Sequence, residues 1–120
     1  MTSEEYREAS QEYLKEAQDA LKEGNYYQAS EKLWGTAAEM VKAVAESKGW
    51  SHNGHAQLFR VVRQLVEEMD DRELALLFRS ANSLHINFYE RWMTPEDVEE
   101  GAEDVNLLLQ KLEGLIEVSV

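Results

Sequence analysis

Along the chain, apolar residues return every three or four positions in five stretches, the period of helices with one buried face. Thr2, with Glu5 three residues on, has capping-box spacing. The helix it opens runs to about Glu23 and stops at Gly24, with Tyr6, Ser10, Tyr13, Ala17, Ala20 and Leu21 as its inward stripe. Asn25 caps a second helix, which ends at Gly49. Leu33, Ala37, Met40, Val41 and Val44 share one of its faces, Trp34 sits at the edge, and Gly35-Thr36-Ala37-Ala38 is small enough to admit a close neighbour. After the irregular Gly49–Gly54 segment, a shorter helix over about His55–Glu68 presents Leu58, Val61, Val62, Leu65 and Val66. Asp70 or Asp71 caps a fourth helix running to about Arg91. Thr94-Pro95-Glu96-Asp97 then restarts the chain with an N-cap, a proline at the first helical position and acids where the dipole favours them. The fifth helix, about Pro95–Glu117, buries Val98, Ala102, Val105, Leu109, Leu112 and Ile116. No segment alternates with period two. The pattern predicts an all-α protein, an antiparallel four-helix bundle with an additional short helix. Its core comes from helices one, two, four and five, in a single domain over residues 1–120.

At 43% hydrophobic residues, 120 residues suffice for a core without staples. There is no cysteine, which excludes disulfides, thiolate metal sites, thiol nucleophiles and iron–sulfur clusters. No apolar run approaches the ~18 residues of a membrane span, and Met1–Ser10 is too acidic for a signal peptide. The expectation is an intracellular, cytoplasmic protein without membrane contact.

Charge changes the picture more than composition does. The chain carries 24 acids against 12 Lys and Arg, a net −12. Residues 93–120 hold eight acids and one base, while Arg60, Arg63, Arg72, Arg79 and Arg91 fall in the middle third with all three histidines. A net −12 repels phosphate polymers and argues against broad nucleic-acid binding, leaving a local arginine-rich surface as the place for any phosphate. The plainer expectation is that these arginines pair with their own acidic neighbours.

The fourth helix is where chemistry is to be sought. At 100° per residue, Leu74, Phe78, Ala81, Asn82, His85, Tyr89 and Trp92 fall within an arc of about 100°. Asn82 and His85 put two polar groups on a stripe that a bundle helix should keep apolar, at a cost of roughly 1–3 kcal/mol each if unpaired. Either they form a satisfied core pair, His85 bonding Asn82, a tyrosine hydroxyl or a facing carbonyl, or they line a cleft. Arg79 lies beside the stripe, some 120° from His85. The two form no compact acid–base pair on one helix, but a two-fold axis would bring them around one composite dimer site. Phe78, Phe88, Tyr89 and Trp92, left exposed, would form a large apolar patch, which points to a homodimer.

Tyr26-Tyr27-Gln28-Ala29-Ser30-Glu31-Lys32-Leu33-Trp34-Gly35-Thr36-Ala37-Ala38, followed by Leu84-His85-Ile86-Asn87-Phe88-Tyr89-Glu90, resembles the archaeal PaREP family of HEPN-like helical domains. The resemblance spans nearly the whole chain. It implies a four- or five-helix bundle that dimerises. Catalytic HEPN members are metal-independent ribonucleases with an Arg, four to six residues, then His; Arg79 and His85 match with five between. Asn82 does not occupy the polar position that often directly follows the Arg; Ser80 stands there instead, and Asn87 stands where one toxin subgroup has Tyr. As a ribonuclease, His85 would exchange a proton with the 2′-hydroxyl or leaving oxygen, and Arg79 would stabilise the phosphorane-like charge. A non-catalytic module would use Arg79, Asn82, His85 and Tyr89 to bind a nucleotide or RNA, or would dock on a nucleotidyltransferase-like partner. A third reading is a purely structural homodimeric domain.

His52 and His55 are three apart beside Trp50, but no third ligand is evident. No His has Glu three residues before it, as four-helix di-iron sites require. Gly-rich phosphate loops and Ser/His/Asp signatures are absent. No metal and no cofactor is expected.

Overall fold

Two of the five helices open on complete capping boxes. In α1 (Ser3–Lys22) the Thr2 hydroxyl accepts from the Glu5 N–H at 3.1 Å, and the Glu5 carboxylate accepts from the Thr2 N–H at 3.0 Å. α5 (Pro95–Glu113) repeats the arrangement with Thr94 and Asp97, and adds proline in its first turn. α2 (Tyr26–Lys48) starts on the Asn25 side chain, which accepts from Gln28 N–H, and ends at Gly49 with φ 75°, where a left-handed residue is needed. The computed structural model describes residues 1–116.

The turn between α3 (His55–Met69) and α4 (Glu73–Glu90) divides its work between both predicted caps. Asp70 adopts the left-handed conformation (φ 49°) and closes α3, while Asp71 Oδ1 accepts from Glu73 N–H at 3.1 Å. Arg72 occupies the N-cap position of α4 without a side-chain cap. At the far end α5 stops at Glu113, short of the predicted Glu117, which lies outside the described residues.

α2 is the hub. α1 lies along it, α4 and α5 pack on it and on each other, and α3 leans on both α2 and α4. Leu33, Val41 and Val44 of α2 meet Leu74, Phe78 and Leu84 of α4 and Val105, Leu108 and Leu112 of α5 in the interior. Two expectations shift. α3 contributes Leu58, Val61, Val62 and Leu65, so all five helices build the core. On α5, Leu108 is fully buried while Leu109 and Ala102 are partly covered, because Gly101 rather than Ala102 meets α4. Among the described residues there is no strand, and no helix is long and apolar enough to cross a membrane.

Candidate functional site

A cleft of about 500 Å³ opens on α2, between α1 on one side and the α3–α4 pair on the other. Its floor includes Glu31, Lys32, Gly35 and Ala38. A Cβ at Gly35 would stand 3.3 Å from the Tyr13 ring, which lies against the α2 backbone and forms the α1 wall. His55, Leu58, His85 and Phe88 form the opposite wall.

Beneath that wall three flat rings cluster. The Trp34 indole centroid is 4.9 Å from the His55 imidazole and 5.3 Å from that of His85, and the two imidazoles are 5.7 Å apart, with mutual tilts of 31–33°. Each imidazole is held by a different oxygen. His85 Nδ1 lies 2.7 Å from Glu31 Oε1, and His55 Nε2 lies 2.7 Å from Asn82 Oδ1. A carboxylate and an amide oxygen only accept, so these contacts assign a ring N–H to His85 Nδ1 and His55 Nε2. Among the described residues, the other nitrogen of each ring makes no hydrogen bond. Two ammonium groups border the same cleft: Lys32, 2.9 Å from Glu16, and Lys42, 3.1 Å from Glu39.

Asn82 and His85 therefore lie close together without pairing; each is satisfied across a helix boundary instead. Tyr89 sets its ring edge-on to His85 at 5.5 Å and to Phe88 at 5.0 Å, and is largely exposed. Arg79 is exposed and does not line the cleft. Phe78 is fully buried between Trp34 and Phe59, so of the four large residues assigned to a dimer patch, Tyr89 and Trp92 are the exposed ones. His52 turns away from His55, to Glu46 Oε2 at 2.7 Å and the Tyr6 ring. No cluster of three or more potential ligands for a metal occurs among the described residues. Sequence reasoning overlooked Glu31, although it sits one helical turn from Gly35 on the same flank of α2.

Fold and cleft together define a class: a small all-helical bundle whose central helix floors a ligand-sized recess. Residues 5–109 match the model of the archaeal PaREP1/PaREP8 family, and the chain belongs to that family. The crystal structure of a protein from Sulfolobus solfataricus is similar in fold, with a TM-score of 0.80 and 24% identity, covering 91% of this chain and 97% of that one. No curated protein matches the chain by sequence.

Proposed function

We propose that the protein is a HEPN-like module that binds a nucleotide in the α2 cleft without turning it over. The observation that carries this reading is the juxtaposition of three stacked-size rings, Trp34, His55 and His85, with two lysines in one recess. A recess of this volume suits a ligand of nucleotide size. The free imidazole nitrogens and ring faces suit a base, and Lys32 and Lys42 suit a phosphate that displaces the carboxylates now holding them. Exposed Tyr89 and Trp92 favour a homodimer contact at the end of α4 nearest the recess. The ribonuclease alternative needs a two-fold axis to bring Arg79 of one copy to His85 of another, since within one chain Arg79 lies outside the cleft.

Isothermal titration calorimetry with the four ribonucleoside monophosphates tests it. Binding of at least one is expected, weakened about tenfold or more, roughly 1.4 kcal/mol, by His85→Ala or Lys32→Ala. Absence of heat with all four rejects the reading, and cleavage of an RNA substrate by the wild type, lost in His85→Ala, replaces it with the ribonuclease.

A further inference from the structure

Arg7, Lys32, Lys42, Lys48 and Lys111 each lie against a carboxylate. The arginines of the middle third do not follow suit, contrary to the expectation that they pair with acidic neighbours. Arg60, Arg63, Arg72 and Arg79 are exposed and make no side-chain ion pair or hydrogen bond among the described residues, and Arg91 stacks on the Tyr27 ring at 4.7 Å. In a chain with twice as many acids as bases, four unpaired guanidinium groups on one helix pair stand out.

Their placement follows from the register of α3 against α4. His55 meets Asn82 and Phe59 meets Phe78, so the helices run antiparallel. One turn beyond Phe59, Arg63 falls opposite Leu74–Ala75, between Arg72 and Arg79 along α4. Arg72 and Arg79 are seven residues apart and about 20° apart around the helix. The four arginines thus share the outer face of the α3–α4 pair.

A complementary face exists on the same molecule. Glu96, Glu99, Glu100 and Glu103 lie within about 100° on α5, opposite the buried Val98, Gly101 and Val105. All four are exposed, and none pairs with a cation among the described residues; Glu99 accepts only a long contact from the Tyr26 hydroxyl. The two faces cannot meet within one chain, because α3 and α5 flank α4 on different sides. Asn82 points to α3, whereas Ser80 bonds Asp104 of α5, and these positions are about 160° apart around α4.

We propose that the α3–α4 arginine face docks the α5 glutamate face of a second copy of this chain. Because the faces differ and lie on different sides, the contact is head-to-tail and leaves a free face at each end, so it propagates into short chains or a ring rather than closing as a two-fold dimer. The remaining charge of each copy is largely screened beyond about 10 Å at ~0.1 M salt, so facing charges govern the contact while the net −12 keeps it weak.

Sedimentation velocity of the full chain over a wide concentration range, in ~100 mM and ~500 mM NaCl, reads the outcome. Self-association beyond a dimer is expected at low salt, with its midpoint shifted at least about tenfold by high salt. Arg63→Glu/Arg79→Glu and Glu96→Arg/Glu100→Arg should each abolish it while melting near the wild type, and mixing the two variants should restore a one-to-one complex through the surviving faces. A wild type that stays monomeric in low salt, or forms a salt-insensitive dimer unaffected by either variant, overturns the proposal. So does arginine-dependent binding of a labelled RNA oligonucleotide by a chain that does not self-associate, which would assign the face to a polyanion.

Discussion

Asn87 and Ser30 are fully buried and joined by a 3.0 Å hydrogen bond from the amide Nδ2 to the hydroxyl oxygen, which ties α4 to α2. Asn87 uses its other end as well: Oδ1 accepts from the N–H groups of Trp92 and Met93, at 3.0 and 2.8 Å, just past the left-handed Arg91 that closes α4. The Ser30 hydroxyl in turn donates a hydrogen bond to the Tyr26 carbonyl at 2.8 Å. One amide therefore fixes both the α2–α4 contact and the exit of the chain towards α5.

Replacing Asn87 with Ala should unpair two backbone N–H groups and take from the buried Ser30 hydroxyl the hydrogen bond it accepts. The expected loss is about 2–4 kcal/mol, read as a lower urea midpoint at unchanged slope. Asn87→Asp keeps the acceptor but loses the donor and brings in a buried charge, so its deficit should shrink as pH falls towards the carboxyl range.

The two helical glycines that touch another helix should respond differently to alanine. At Gly101 a Cβ would stand 2.8 Å from Cδ2 of the fully buried Leu84, so Gly101→Ala should cost about 1–3 kcal/mol despite the better helix propensity. At Gly35 the neighbour is the partly exposed Tyr13 ring at 3.3 Å, which can yield. Gly35→Ala should melt near the wild type. Equal melting temperatures for the two variants would contradict this packing.

Asp70 holds a positive φ with no side-chain hydrogen bond or ion pair among the described residues. Asp70→Gly should stabilise by about 0.5–1 kcal/mol, a rise of a few degrees in a thermal melt.

Lys111 of α5 reaches Asp71 at 2.7 Å and Glu73 at 3.1 Å, clasping the α3–α4 turn. The hydrogen bond from Lys111 holds the Asp71 carboxyl below the usual carboxylate range, and Asp71 with Glu73 raises the Lys111 ammonium above its ordinary value. The contribution of Asp71 is complete above its unfolded pKa and disappears as pH falls through its lower folded one. That of Lys111 is complete below its unfolded pKa and is lost as pH rises through its higher folded one. Melts of wild type and Lys111→Met should therefore differ most between these limits and converge at both extremes.

Helix number, order and most termini were legible because capping residues, Gly49 and Pro95 act locally. What depends on a neighbouring helix was not. Asn82 and His85 share a stripe, and helical arithmetic brings them together; their partners, His55 and Glu31, come from α3 and α2. Asn87 lies about 160° from His85 and reads as solvent-facing. It is buried because α2 and the start of α5 close over that flank of α4. Asp70 and Asp71 were interchangeable as sequence, and the tightness of the turn gave each its own task.

That α2 contacts every other helix has a consequence for synthesis. The α1–α2 hairpin leaves the ribosome before α3–α5, joined by the three residues Glu23, Gly24 and Asn25, and these helices find each other at short range. The α2 flank awaiting α5 stays uncovered until some fifty further residues have been made, so a chain stalled before Pro95 displays that apolar flank to whatever chaperone or protease is at hand.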